Sequence, residues 1–199
     1  MSTRTRTGPY TFADFLELIH EEKADLLEGA IYLASPESTE HNSIVLWLGT
    51  VLGQYIEERH LGRLAINKVA FRLTPTTAPE PDLGFVRTER MNIIRSGYVD
   101  GPPDVAVEFI SPDSVERDYE HKRRLYEEAG VREYWIIDAD EKRATFLIRG
   151  PEGHFAEAHL DGSTFLSRAI EGFHLNVEWL WQHPLPSTLA TVQRLLQEK

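Results

Sequence analysis

Asp104-Val105-Ala106-Val107-Glu108-Phe109-Ile110, then an amphipathic stretch from Ser114 to Ala129, then Glu133-Tyr134-Trp135-Ile136-Ile137-Asp138, reads as strand, helix and strand. Both strands are apolar on both faces, the pattern of central strands covered on either side. A helix joining two such strands predicts a parallel pair linked by a crossover. Glu108 breaks the first strand's apolar run, and a carboxylate buried there needs a metal or a cation to compensate it. The helix carries a matching anomaly. At about 100° per residue, Val115, Tyr119, Lys122, Tyr126 and Ala129 form one stripe, and Lys122 lies on the face that should pack inward. Glu116, Arg117, Glu120, Arg123, Arg124, Glu127 and Glu128 are expected on the opposite side.

Working outward, the flanking segments extend this unit. Residues 1–9 read as a flexible arm ending at Gly8-Pro9, and Thr11-Phe12-Ala13-Asp14 as a helix start. Leu26 to Leu33, interrupted by Glu28-Gly29, is a turn into a strand. A long helix is expected from Ser38 to His60, ended by Gly62. Strands follow at Leu64–Leu73, Asp82–Arg87, Ala144–Arg149 and Phe155–Leu160, and a helix at Ser187–Lys199. Helices around a mixed sheet give a three-layer α/β/α sandwich. The expected division is the arm, one domain over 10–185 and a C-terminal helix over 186–199.

The chain has 199 residues, 41% hydrophobic and 27% charged, which suits one soluble globular domain. It contains no cysteine, so disulfides and thiolate metal sites are excluded. No apolar run approaches the roughly 20 residues of a membrane span, and no apolar stretch follows Met1–Arg6 as a secretory signal requires. The expectation is a cytoplasmic protein. The net charge of −11 argues against broad nucleic-acid binding. A local basic rim remains compatible with it, because charges farther apart than about 8–10 Å are screened. Lys68, Arg72, Arg117, Arg123 and Arg124 are the cations expected to form that rim, with Glu57-Glu58 and Glu127-Glu128 facing away.

Asp82, at the start of its strand after Pro81, could meet Glu108 if their strands are neighbours. Two carboxylates and a backbone carbonyl, that of Phe109, make a donor set for a hard divalent cation such as Mg²⁺. Such a cation polarises a phosphodiester and makes water more acidic. Lys122 alongside would position the nucleophile or stabilise charge on the phosphoryl group. Other constellations are weaker: the histidines at 154, 159, 174 and 183 lack zinc spacing, and no Gly-rich phosphate loop is present. Glu80 reads as a solvated loop charge, Tyr126 as packing beneath the site, and Ser114 as a helix cap with Asp113 nearby.

The order Pro81-Asp82, Glu108, then a lysine resembles the PD-(D/E)XK nuclease superfamily, although the usual strand lysine would fall at position 110, which is Ile110. The chain resembles more closely the putative restriction-endonuclease family long catalogued as a domain of unknown function, in which the lysine has moved to the following helix. The matching residues are Val107 to Pro112, then Asp118, Lys122 and Tyr126, then Gly130-Val131-Arg132-Glu133-Tyr134-Trp135-Ile136-Ile137-Asp138. Upstream, Asp25-Leu26-Leu27-Glu28-Gly29 and Ser35-Pro36 through His41-Asn42 also match. The family more commonly has Glu at the position of Asp25 and an acid at that of Ala30.

The resemblance implies a restriction-endonuclease-like fold and a metal-dependent endonuclease. Asp82, Glu108 and Lys122 would be catalytic, with Asp25 and His41 as accessories. It also implies Mg²⁺, with Mn²⁺ as a substitute, and DNA as substrate, with RNA as the alternative. The rival reading is a noncatalytic assembly module that keeps the fold. A homodimer or higher oligomer is expected, with Trp179 and Trp181 either at its contact or closing the core.

Overall fold

The structure is a computed structural model that describes residues 5–20, 22–35, 38–111 and 114–198. Pro36, Pro112, Asp113, Lys199 and residues 1–4, on which some of the expectations above fall, lie outside that set. In chain order the strands begin with β1 (Thr5–Arg6), β2 (Ala24–Leu27), β3 (Ala30–Leu33), β4 (Gly62–Ile66), β5 (Ala70–Phe71) and β6 (Leu83–Arg87). They continue with β7 (Tyr98–Val99), β8 (Val105–Phe109), β9 (Glu133–Asp138), β10 (Arg143–Arg149), β11 (Phe155–Glu157), β12 (Thr164–Leu166) and β13 (His174–Asn176). The α-helices are α1 (Phe12–Leu18), α2 (Thr39–Glu58), α3 (Arg123–Ala129) and α4 (Thr188–Gln197).

The central sheet has six strands in the order β11-β10-β9-β8-β6-β4. The pair β8 and β9 is parallel, with Val107 opposite Trp135 and Glu108 opposite Ile136. The other pairs in this sheet are antiparallel. Alternation along the strands separates two cores. Leu83, Phe85, Val105, Val107, Phe109, Trp135 and Ile137 face α2 and α4. Ala106, Ile110, Tyr134 and Ile136 face Tyr126 on the other side. A mixed sheet with helices on both faces is the expected three-layer architecture.

Three local readings change. The strand expected over Leu64–Leu73 is broken into β4 and β5, because Asn67 and Lys68 take positive φ of 47° and 49° and turn the chain. Thr5 and Arg6, expected in a flexible arm, pair with Tyr32 and Ile31 of β3. The helix that carries Lys122 is not α-helical throughout: Arg117–Lys122 is a π-helical turn that runs into α3. Its wider i→i+5 winding changes which side chains share a face. Val115, placed on the buried stripe by α-periodicity, is 41% exposed, whereas Asp118 is buried. The Tyr134 hydroxyl donates to the Asp118 carbonyl at 2.9 Å, tying this turn to β9. Gly130 ends α3 in the left-handed region, as read from the sequence.

Trp179 is buried in the main core and Trp181 packs against it. They close the core, so the side chains that suggested an oligomer contact are used within the chain.

Glu133, part of the motif that carries the resemblance, is structural. It is fully buried and accepts from Trp135 Nε1 (3.0 Å), Ser167 Oγ (2.9 Å), Arg168 N (2.5 Å) and Ala169 N (2.8 Å). One carboxylate thus fastens the 167–169 loop to the sheet. Glu133→Ala strands these donors and is expected to cost about 3–5 kcal/mol in urea denaturation, with Glu133→Gln losing less.

Candidate active site

Four segments converge at the C-terminal end of β8. β8 itself brings Glu108 to the face occupied by Ala106 and Ile110, which the helix covers. β6 is antiparallel to β8, with Leu83 opposite Val107, so Asp82, one residue earlier, arrives beside Glu108. The Phe109 N–H donates to Asp82 Oδ2 at 2.8 Å. The β2–β3 hairpin supplies Lys23 and Asp25. Its two-residue turn, Glu28-Gly29, has both φ positive (49° and 84°), as a tight hairpin requires. Leu26 exchanges backbone hydrogen bonds with Ala78, which seats the hairpin beside the segment leading to Asp82. The π-turn supplies Arg117, Asp118 and Lys122.

Lys122 is 3% exposed and lies at the centre. Its Nζ is 2.9 Å from Asp25 Oδ2, 2.9 Å from Glu108 Oε1 and 3.5 Å from Asp118 Oδ1. Burial disfavours its charged form, but Asp25, Glu108 and Asp118 outweigh that and raise its pKa above the ordinary lysine value. Burial also works to raise Asp25, yet Lys122 and Arg117 prevail and hold it low, so Asp25 is ionised. Arg117 Nε is 3.8 Å from Asp25 Oδ2, and its guanidinium lies over the Tyr32 ring.

Glu108 behaves differently. Burial pushes its pKa up to about 8 against the pull of Lys122, with Asp118, Asp25 and Asp82 adding to the rise. The Tyr126 hydroxyl donates to Glu108 Oε1 at 2.8 Å, so this tyrosine does more than pack. Both the tyrosine and Lys122 contact Oε1. Asp118 is raised as well, chiefly by burial, and its Oδ1 has no hydrogen-bond partner among the described residues. Asp82 is ion-paired through Oδ1 to Lys23.

Asp25, Asp82, Glu108 and Asp118 line one cavity of about 30 Å³ together with Lys23, Arg117 and Lys122. Four carboxyls against three cations leave an excess of one negative charge when all are ionised. Among the described residues, no three carboxylate or histidine side chains already converge on one metal-sized point. The cavity nevertheless suits a hard cation. It offers oxygen donors, an acidic balance, a buried carboxylate oxygen without a hydrogen bond, and room for an ion with water.

The structure therefore brings Asp82, Glu108, Lys122 and Asp25 together, with Phe109 on the cavity wall. His41 does not line the cavity. It is buried near the start of α2, its ring 5.5 Å from that of Phe109. Glu80 is not a solvated loop charge: it is buried, accepts from Ala24 N at 3.0 Å, and has its pKa raised to about 7 by burial. Its own N–H donates to Asp25 Oδ1 at 2.8 Å, because the hairpin folds over it. Ser114 does not cap the helix through its side chain; its Oγ accepts from the Ser111 N–H at 3.0 Å.

Of the expected rim cations, Arg117 alone lines the cavity. Arg72 is held by Asp100 at 2.5 and 2.9 Å, and Arg124 by Glu28 and Glu128. The sequence reading missed Lys23 and placed Arg117 on the wrong side. Lys23 had a legible signal: strand alternation puts positions 23 and 25 on one face.

Residues 12–178 match the Uma2 family, whose description is "Putative restriction endonuclease". The chain belongs to this family. Among solved structures, it is similar to a putative nuclease belonging to DUF820 from Anabaena variabilis ATCC 29413. The two are 20% identical with a TM-score of 0.69, over 87% of this chain and 98% of the other. At that identity the likeness speaks for the fold. No curated protein matches the chain.

Proposed function

We propose that this chain is a Mg²⁺-dependent endonuclease that hydrolyses phosphodiester bonds in DNA. The observation that carries the reading is the convergence of Asp82, Glu108 and Lys122 on one acidic cavity, in a chain of a restriction-endonuclease family. Asp82, Glu108 and the Phe109 carbonyl would hold the cation, with Mn²⁺ as a substitute. A divalent cation bound there supplies charge neutralisation at the phosphate and makes water more acidic.

The protein's own groups do the rest. Lys122 is fixed by Asp25 and Asp118 and presents a permanent positive charge to the phosphoryl oxygens as negative charge builds on them. Asp25 maintains that charge and direction, so it acts through Lys122. Tyr126 holds Glu108 Oε1 and so steadies the carboxyl that would hold the cation. Water adds to phosphorus, the P–O bond to the leaving oxygen breaks, and the proton of the attacking water passes to solvent or the leaving group.

One observation favours the noncatalytic alternative: the buried network comes within one charge of neutralising itself without a metal. Cleavage assays separate the two readings. Supercoiled and linear duplex DNA, single-stranded DNA and RNA are incubated with Mg²⁺, Mn²⁺ or a chelator, beside Lys122→Ala and Glu108→Gln. Metal-dependent DNA cleavage lost in both variants supports the proposal. Cleavage of RNA alone moves the substrate to RNA. No cleavage of any substrate, or cleavage equal in both variants, overturns the assignment.

A further inference from the structure

Two lysines line the cavity, and they are held in different ways. Lys122 is 3% exposed and touches three carboxylates, so it cannot leave without uncovering all of them. The Lys23 side chain is 18% exposed, lies at the cavity wall, and among the described residues is ion-paired to Asp82 alone. Asp82 spends its two oxygens unequally. Oδ2 is committed to the Phe109 backbone N–H at 2.8 Å, a bond fixed by the strand. Among the described residues, Oδ1 carries only the long-stemmed, partly exposed lysine. The oxygen that a divalent cation would take from Asp82 is therefore the one Lys23 covers.

We propose that Lys23 is an exchangeable counter-ion: it neutralises Asp82 until a divalent cation takes Oδ1, and then turns to an anionic phosphate oxygen of the substrate strand. The inference rests on the metal-dependent nuclease reading and deepens it by giving the order of binding. An ammonium on four methylenes can make that turn without moving the backbone. Lys23 enters the exchange as the ammonium ion-paired to Asp82. The exchange also eases the charge problem of this acidic chain. The cation and the freed lysine together make the cavity mouth positive at the moment a phosphate must approach. Because binding linkage is reciprocal, cation and DNA should each tighten the other through this residue.

Isothermal titration with Ca²⁺ and Mn²⁺ in the absence of DNA tests the first half on the full chain. Lys23→Met removes the competitor and is expected to bind either cation about tenfold tighter than wild type, a difference of about 1.4 kcal/mol. Asp82→Asn should lose binding. The second half is read with a fluorescent duplex oligonucleotide in Ca²⁺. Lys23→Met should bind about five- to tenfold weaker, with the salt dependence reduced by about one phosphate contact, and Lys23→Arg should restore both.

Unchanged or weaker cation affinity in Lys23→Met overturns the exchange. The nuclease reading survives that result if Asp82→Asn still loses the cation. Failure of wild type to bind either cation overturns the nuclease reading and the exchange with it. Lys23→Gln, which keeps a polar end, replaces Lys23→Met if the latter does not fold.

Discussion

Lys122→Met is expected to lower stability by about 3–5 kcal/mol at pH 8.5 and to remove cleavage. The size follows from what the lysine holds. Asp25, Glu108 and Asp118 all lie within 3.5 Å of its Nζ, and all are buried. Removing one member of a buried ion pair leaves the other without compensation, which costs more than an exposed pair ever returns. Asp25 suffers most, because Lys122 is the foremost partner holding its pKa low, and Arg117 is farther away at 3.8 Å. The sign with pH is fixed by the same logic. A carboxyl that loses its cation takes up a proton more readily, so the penalty shrinks as pH falls toward 5 and grows as pH rises. Denaturant midpoints of wild type and variant at pH 5 and 8.5 measure this. A penalty independent of pH would mean that lost packing of the lysine stem, not charge, sets the cost. Addition of Mg²⁺ should recover part of the loss at pH 8.5, since a cation in the cavity replaces the missing charge. The rate has a separate cause. Loss of a fixed charge aimed at the reacting phosphate is expected to slow cleavage at least about 10²–10³-fold even where the variant is folded.

How far this site is legible in the sequence depends on the kind of signal each residue leaves. Glu108 shows because it interrupts an apolar strand, and the parallel pairing around it follows from strand, helix and strand in succession. Lys122 shows because it sits within an apolar stripe. Arg117 and Val115 are misplaced by the same periodicity, since a π-turn winds more slowly than 100° per residue and nothing in the local composition announces it. The turn is tied to β9 by the Tyr134 hydroxyl, which donates to the Asp118 carbonyl, a contact between segments joined through the crossover. Glu80 sits between Pro79 and Pro81 and reads as loop. Its burial depends on a hairpin 56 positions earlier whose Ala24 N–H it accepts. Lys23 and Asp25 reach the site through that same hairpin. Long-range packing of this kind leaves no spacing that tells where the hairpin docks; the resemblance to a family brought in Asp25, and only from Asp25 does strand alternation lead to Lys23.

Glu108→Gln separates the two functional readings by its response to metal rather than by its stability. From the sequence alone, a structural Glu108 would exist to neutralise Lys122, and its loss would be costly. The geometry changes that expectation. Burial lifts the Glu108 pKa to about 8, while Asp25 stays ionised and serves as the main partner of Lys122. Below pH 8 Glu108 is therefore a neutral acid that glutamine imitates, and Glu108→Gln should cost less than about 1 kcal/mol near pH 5 on either reading. The folded pKa lies above the ordinary value of 4.5, so the native state binds the extra proton between about pH 4.5 and 8. Stability contributed by that proton is full below this window and is lost as pH rises through it. Glu108→Gln lacks the proton to lose, so its stability should not show this fall; it should overtake wild type within the window, the difference levelling off above about pH 8. Thermal denaturation across pH 5–9 reads both effects. With Mg²⁺ or Mn²⁺ present, wild type should gain stability in proportion to binding, whereas Glu108→Gln should show no gain and no cleavage. Equal metal-induced gains in the two proteins would place the cation away from Glu108. A metal effect absent from both, alongside the same pH profiles, would leave Glu108 as a buried acid of the fold and favour the noncatalytic module.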